Sequence, residues 1–202
     1  MNILYIHGFR SSGDSDKARQ MQARFPEATV VSPTLSANPD EAVGQLEEIL
    51  PTLSDKTLIV GTSLGGFYAL YLSCRYGYAC CAINPAWQAH LTLRHKVGRH
   101  TRYDSDEVYD FRPEYPDRLA ELREAMLRTD RNPKALNIFL SNDDEELSFD
   151  GLEEIFPEYR LLRRFDASGH RFNRFPEILD DLAEILADLP EGRVPDAPMQ
   201  TS

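Results

Sequence analysis

Leu58-Ile59-Val60-Gly61-Thr62-Ser63-Leu64-Gly65-Gly66 is the stretch on which the fold of this chain turns. An apolar, partly β-branched run passes through Gly-x-Ser-x-Gly into a second apolar segment, Phe67-Tyr68-Ala69-Leu70. That order predicts a buried strand, a tight turn and a helix. Gly61 and Gly65 let strand and helix approach closely around the turn, which pushes the Ser63 hydroxyl out above a sheet. The helix N-terminus beneath it favours developing negative charge. Ser63 is therefore the candidate nucleophile, and the glycines around it are what the geometry requires.

Outward from this turn, short apolar runs alternate with helical patterns, the signature of a parallel sheet covered by helices on both faces. Strands are expected over 3–7, 29–32, 57–61, 79–84, 136–141 and 159–165. Helices are expected over 15–24, from Pro39 onward with Val43, Leu46, Leu50 and Leu53 on one face, and from Ser63 to about Arg75. Others are expected over 116–128, 149–156 and 176–189, the last with Pro176 in its first position. The fold class is α/β, with a six-stranded, mainly parallel sheet in the order 2-1-3-4-5-6 and at most a short cap. Residues 1–189 read as a single domain. Residues 86–112 are polar, rich in His and Arg and without a clear period, and read as a lid-like excursion over the active-site face. Residues 190–202 read as a disordered tail.

Two further signals fit the serine. His7-Gly8-Phe9 closes the first strand, and in this strand order the first and third strands flank the switch point where ligands bind. Oxyanion donors are then the N–H groups of Phe9 and Leu64, with His7 fixing the loop. Ala167-Ser168-Gly169-His170 follows the last strand, where the Ser, acid, His chain order places the base. Histidine titrates near ~6.5, which suits a base at neutral pH. The acid lies in Asn142-Asp143-Asp144-Glu145-Glu146, with Asp144 preferred and Asp143 as the alternative. Asp166 leaves the same strand as His170 and makes a poor cross-loop partner.

Composition excludes several classes. The chain has 202 residues and a net charge of −11, a surface that as a whole repels phosphate, so nucleic acid is not an expected partner. No apolar run approaches the ~20 residues of a spanning helix. Met1-Asn2-Ile3-Leu4-Tyr5-Ile6-His7-Gly8 does not read as a signal peptide. Three crowded cysteines, Cys74, Cys80 and Cys81, form no disulfide framework and read as buried thiols, which places the protein in the cytoplasm. No metal is expected, since His95 and His100 are five apart and lack a carboxylate at ligand spacing.

The chain resembles the YqiA-like esterases, a family of small bacterial α/β-hydrolases. The likeness rests on Asn2-Ile3-Leu4-Tyr5-Ile6-His7-Gly8-Phe9, Gly61-Thr62-Ser63-Leu64-Gly65-Gly66-Phe67-Tyr68-Ala69, Ile83-Asn84-Pro85-Ala86 and Gly169-His170-Arg171-Phe172. It implies esterase activity on small-molecule acyl esters or thioesters, no cofactor, and a Ser63, Asp144, His170 triad. The family's acid motif reads Gly-Asp-Glu-x-Leu; here Asp143-Asp144-Glu145-Glu146-Leu147 lacks the glycine, which keeps Asp143 in play.

Arg10, Phe67, Trp87 and Phe172 adjoin the catalytic loops and are candidates to line a substrate pocket. Arg94, His95, Lys96, Arg99, His100 and Arg102 form a basic island, readable either as a site for an anionic substrate portion or as a solvated loop balanced by Asp104, Asp106 and Glu107. A catalytically silent binder and an acyltransferase using the same triad are the alternatives to hydrolysis. Oligomeric state is not readable from the sequence.

Overall fold

The strands are apolar at successive positions, so both faces of the sheet must be covered. The computed structural model describes residues 1–192. In chain order it contains β1 (Asn2–Ile6), α1 (Asp16–Arg24), β2 (Thr29–Val31), α2 (Pro39–Ile49), β3 (Thr57–Thr62), α3 (Leu64–Tyr76) and β4 (Ala79–Ile83). There follow α4 (Ala89–Thr92), β5 (Gly98–Thr101), β6 (Val108–Phe111), α5 (Tyr115–Leu127), β7 (Leu136–Ser141), α6 (Leu152–Ile155), β8 (Leu161–Phe165) and α7 (Leu179–Ala187). The main sheet runs β2-β1-β3-β4-β7-β8 with every pair parallel. This is the 2-1-3-4-5-6 order expected, with a small antiparallel pair, β5–β6, inserted between the fourth and fifth strands.

Period-two alternation sorts the strand residues into two cores. Leu4, Ile6, Ile59, Cys80, Ala82 and Ile138 pack in one layer with residues of α2, α3 and α5. Ile3, Tyr5, Leu58, Val60, Cys81 and Phe139 pack in the other with residues of α1 and α7. The adjacent Cys80 and Cys81 thus point to opposite faces; both are buried and free. Burial pushes the Cys80 thiol up to about 12 and the Cys74 thiol up to about 11, as inert packing groups require. Local chemistry sets the helix starts: the Ser15 side chain caps α1 and the Asn38 side chain caps α2, with Pro39 in its first turn. Among the described residues no helix is long and apolar enough to cross a membrane.

Three elements depart from the sequence reading. Pro176 does not open α7 but stands second in a 3₁₀ turn, Phe175–Ile178, because the buried Phe175 is held by a tight turn from Phe172 before the α-helical run begins. The helix expected over 149–156 shrinks to α6, since Gly151 at φ 78° breaks the backbone ahead of it. The 86–112 segment, which has no readable period, folds into α4, a 3₁₀ turn at Arg94–Lys96 and the β5–β6 hairpin. Of the tail expected over 190–202, only 190–192 are described, and the Gly192 N–H donates to the Asp55 carbonyl at 3.0 Å; 193–202 lie outside the described residues.

Candidate active site

Ser63 sits at the junction of β3 and α3 with φ 56° and ψ −119°. For a residue other than glycine this conformation costs on the order of 1–3 kcal/mol, so its surroundings must enforce it. The Ser63 N–H donates to the Ile83 carbonyl at 2.9 Å, and the Ser63 carbonyl accepts from the N–H groups of Phe67 at 3.1 Å and Ala86 at 3.0 Å. A side chain at Gly61 would strike the backbone of Gly65 and Gly66, and one at Gly65 would strike the carbonyls of Ile6 and His7. The glycines are therefore fixed by contact as well as by turn geometry.

The loop carrying His170 is held by three consecutive acids with divided duties. Asp144 places its two carboxylate oxygens 2.9 and 3.1 Å from His170 Nδ1. The same carboxylate accepts the N–H groups of Glu146 at 2.9 Å and Leu147 at 2.8 Å, which fixes its aim. Asp143 instead accepts from the N–H of Ser168 at 3.0 Å, the N–H of Gly169 at 3.3 Å and the Ser141 hydroxyl at 2.9 Å. Glu145 accepts the backbone N–H of His170 at 2.9 Å. Asp144 thus holds the ring, while its neighbours hold the backbone. The Asp144 side chain is 1% exposed and that of His170 is 15% exposed, a buried acid behind an accessible base. Burial disfavours the imidazolium, but the Asp144 hydrogen bond and charge, with Glu146 and Glu145, outweigh it and raise His170 above its ordinary value.

The opposite lip of the site is the loop after β1. His7 is buried; its Nε2 lies 3.0 Å from the Leu35 N–H, which can only donate, so the proton sits on Nδ1 and is given to the Gly8 carbonyl at 2.8 Å. Burial lowers the His7 pKa, consistent with a neutral ring that braces the loop. Among the described residues no acceptor takes the Phe9 N–H, and Leu64 is the first residue of α3, whose N–H a helix leaves free. The Phe9 ring packs edge-on against His100 and Phe111 with centroids 5.1 and 5.2 Å away, fastening this loop to the β5–β6 hairpin. A cavity of about 770 Å³ is lined by Ser63, His170, Gly8, Phe9 and Leu64 together with Arg10.

Residues 2–187 match the model of a family described as "Uncharacterised protein family (UPF0227)". The chain belongs to this family. One UPF0227 relative, the protein YcfP of Salmonella gallinarum, is 25% identical over 183 residues, covering 83% of this chain and 99% of its own. Among solved structures, Est1E from Butyrivibrio proteoclasticus, with ferulic acid bound, has a TM-score of 0.69 at 12% identity, covering 93% of this chain and 90% of that one. The metagenome-derived lipolytic enzymes LipS and LipT give 0.66 at 15%, covering 92% and 93%. At such identities the likeness carries the fold, which is that of the α/β-hydrolases. The kinship with the YqiA-like family read from the sequence holds.

Within this UPF0227 chain, three of the four candidate pocket residues are misplaced by the sequence reading. Phe67 and Phe172 are 0% exposed and Trp87 is 3% exposed; all three belong to the cores. Phe67 faces the inner side of α3, Phe172 turns inward at φ 52° onto Phe165, and Trp87 lies under the Arg123 guanidinium. Adjacency in sequence to a catalytic loop does not give adjacency to its cavity. Arg10 does line the cavity. The basic island also divides: Arg94 pairs with Asp117 at 2.6 Å, Arg99 is exposed and does not line the cavity, and Arg102 is buried and paired with Glu107 at 2.8 Å. Only His95, Lys96 and His100 of that island border the cavity.

Asn84 is the residue whose part the sequence left unread. Fully buried at φ 41°, it accepts the Ser141 N–H at 2.7 Å and donates to the carbonyls of Gly169 at 3.1 Å and His170 at 3.2 Å. One amide thereby ties the ends of β4 and β7 to the His170 loop. An asparagine directly after a buried strand and before a proline was the available signal.

Proposed function

We propose that this protein is a serine hydrolase of carboxylic esters or thioesters, acting through a Ser63 acyl-enzyme. The observation that carries the reading is that His170, its Nδ1 held by the buried Asp144 carboxylate, lines the same cavity as the strained Ser63. His170 Nε2 takes the Ser63 proton as Oγ attacks the acyl carbonyl, and the Phe9 and Leu64 N–H groups receive the oxyanion. Collapse expels the alcohol or thiol, which leaves with the proton from His170. Water, deprotonated by the same ring, then releases the acid. Asp144 holds the imidazole tautomer and stabilises the imidazolium. Ester-cleaving chemistry on the solved relatives of this fold, such as the lipolytic LipS and LipT, supports the same direction.

The test is hydrolysis of p-nitrophenyl esters from acetyl to palmitoyl by wild type and Ser63→Ala side by side. Turnover should vanish in the variant, by ~10⁶-fold, as for a lost triad serine. A folded Ser63→Ala protein that keeps more than a few per cent of the wild-type rate overturns the proposal. Product analysis with added alcohol or thiol acceptors separates hydrolysis from acyl transfer.

A further inference from the structure

In a chain with net charge −11, cations without carboxylate partners are unexpected, and four of them meet at the catalytic cavity. Arg10, Lys17, Lys96 and Arg171 line it, and among the described residues none has a carboxylate within 4.0 Å. The acids on the same walls are mostly occupied. Asp14 and Asp16 pair with Arg19, Asp104 accepts the N–H and hydroxyl of Ser12 at 3.1 and 2.6 Å, and Glu145 accepts the His170 N–H. Glu146 is the cavity acid whose carboxylate has no such partner among the described residues.

Two of the free cations are built into one feature. The guanidinium carbons of Arg10 and Arg171 lie 4.4 and 5.7 Å from the centre of the Tyr103 ring. Arg10 is fixed there at φ 65°, its Nε donating to the Thr101 carbonyl at 3.0 Å and its carbonyl accepting the Tyr103 N–H at 2.8 Å. Lys17 donates to the Arg171 carbonyl at 2.7 Å, and burial lowers its pKa. Two guanidiniums brought to a single ring repel one another, and an anion within reach of both would relieve that repulsion.

We infer that Arg10, Arg171 and Lys17 form an anion subsite for the leaving portion of the substrate, a carboxylate- or phosphate-bearing alcohol or thiol. This rests on the serine-hydrolase reading above. The side is set by chemistry: His170 must hand its proton to the leaving oxygen or sulfur, so the leaving portion passes beside His170, and Arg171 follows it directly in the chain. The acyl portion then faces the less charged wall of Leu64, Ala86, Leu93 and Leu147.

Three butyrate esters test this, with leaving phenols differing only in the para group: a methyl ester, a free carboxylate or a phosphate. Wild type should prefer a charged ester over the neutral one in kcat/KM by about tenfold or more, the size of one good charge-assisted contact. That ratio should fall toward unity in Arg171→Gln and Lys17→Met, and in wild type at high salt. The stronger of the two charged arms tells carboxylate from phosphate. If Arg171→Gln does not fold, the salt dependence of the wild-type ratio and competitive inhibition by inorganic phosphate or benzoate against the neutral ester decide alone. Equal turnover of all three esters, with Ser63 labelled by a fluorophosphonate, overturns the subsite and leaves the hydrolase reading standing. No turnover of any ester and no labelling overturns both.

Discussion

The two walls of the cavity are made of different material. The Ser63 and His170 wall is assembled from the ends of β3, β4, β7 and β8 and is pinned by backbone contacts, glycines and buried hydrogen bonds. The facing wall is drawn from the inserted segment around β5, with Leu93, His95, Lys96, His100 and Tyr103, and from the loop after β1. Polar bonds hold this segment to the loop after β1 and to Leu35: Arg102 donates to the carbonyls of Ser11 and Leu35, Ser12 bonds Asp104, and Tyr103 bonds Arg10, beside the packing of Phe9 on His100 and Phe111. The first wall follows from the fold, since any sequence making this sheet must bring those loops together. The second is an insertion fastened by side chains, and it can change without altering the sheet. The chemistry we propose belongs to the first wall, and the selectivity we infer to the seam between them.

The comparison breaks most sharply at the first wall. Ser63→Ala should remove turnover by ~10⁶-fold with no fall in Tm, because the strained backbone is retained and only a hydroxyl is lost. A large fall in Tm would show that the hydroxyl braces the turn. Next in size is the contrast between neighbouring acids. Asp144→Asn should cost ~10⁴-fold in kcat, since the amide can present an N–H to the ring and fix the wrong tautomer. Asp143→Ala frees loop backbone but leaves the ring's partner in place, and should stay within about a hundredfold of wild type. Kinetics of the two variants on one ester decide; the reverse ranking would exchange the roles of the two acids.

How far the sequence could be read follows the same division. Strand order, the Ser63 turn and the position of His170 were legible because each is tied to a constraint on the chain: apolar alternation, glycines at a tight turn or chain order along a parallel sheet. The same order placed an acid in 142–146 but left Asp143 beside Asp144. The hairpin was not legible, since Gly98, Arg99, His100 and Thr101 show no buried face and only Phe111 and Arg102 of its neighbourhood are buried. Arg102 illustrates the difficulty. In sequence it belongs to a basic run; in space it is a brace, and of the four unpaired cations at the cavity only Lys96 comes from that run, while Arg10, Lys17 and Arg171 are distant in the chain. Phe67, Trp87 and Phe172 failed for the related reason that a large aromatic beside a catalytic loop is claimed first by the core.

Arg102 also tests how far the second wall supports the first. Arg102→Met removes donors from the Ser11 and Leu35 carbonyls, at a cost of about 1–3 kcal/mol for buried acceptors left unpaired. Because Ser11 follows the Phe9 donor closely, kcat should fall by ~10–100-fold, and by more than KM changes. Arg102→Lys retains the charge and one donor direction, and should recover part of the loss. A fall in Tm with kcat untouched would make the hairpin a cover with no role in positioning the oxyanion loop.

The smallest effect concerns two histidines with opposite shifts. In the role we propose, His170 must be neutral to act as the base, and its pKa is raised above ~6.5, so the acid limb of kcat/KM should have its midpoint above that value. Glu146→Gln deletes one of the charges that raise it and should move the limb to lower pH; added salt should do the same. The stability linkage runs the other way. With a raised folded pKa, the contribution of His170 is fully present below ~6.5 and is lost as pH rises through its folded value. His7 has a depressed folded pKa, so its contribution is present above ~6.5 and is lost as pH falls through that lower value. Protonated His7 can no longer accept the Leu35 N–H, and the loop bearing the Phe9 donor loses its brace. His7→Gln, whose amide can supply one donor and one acceptor, should therefore flatten the acid side of the Tm profile while leaving the midpoint set by His170 in place. A shift of both together would mean that the two loops titrate as one unit, and that the division between the walls does not extend to their electrostatics.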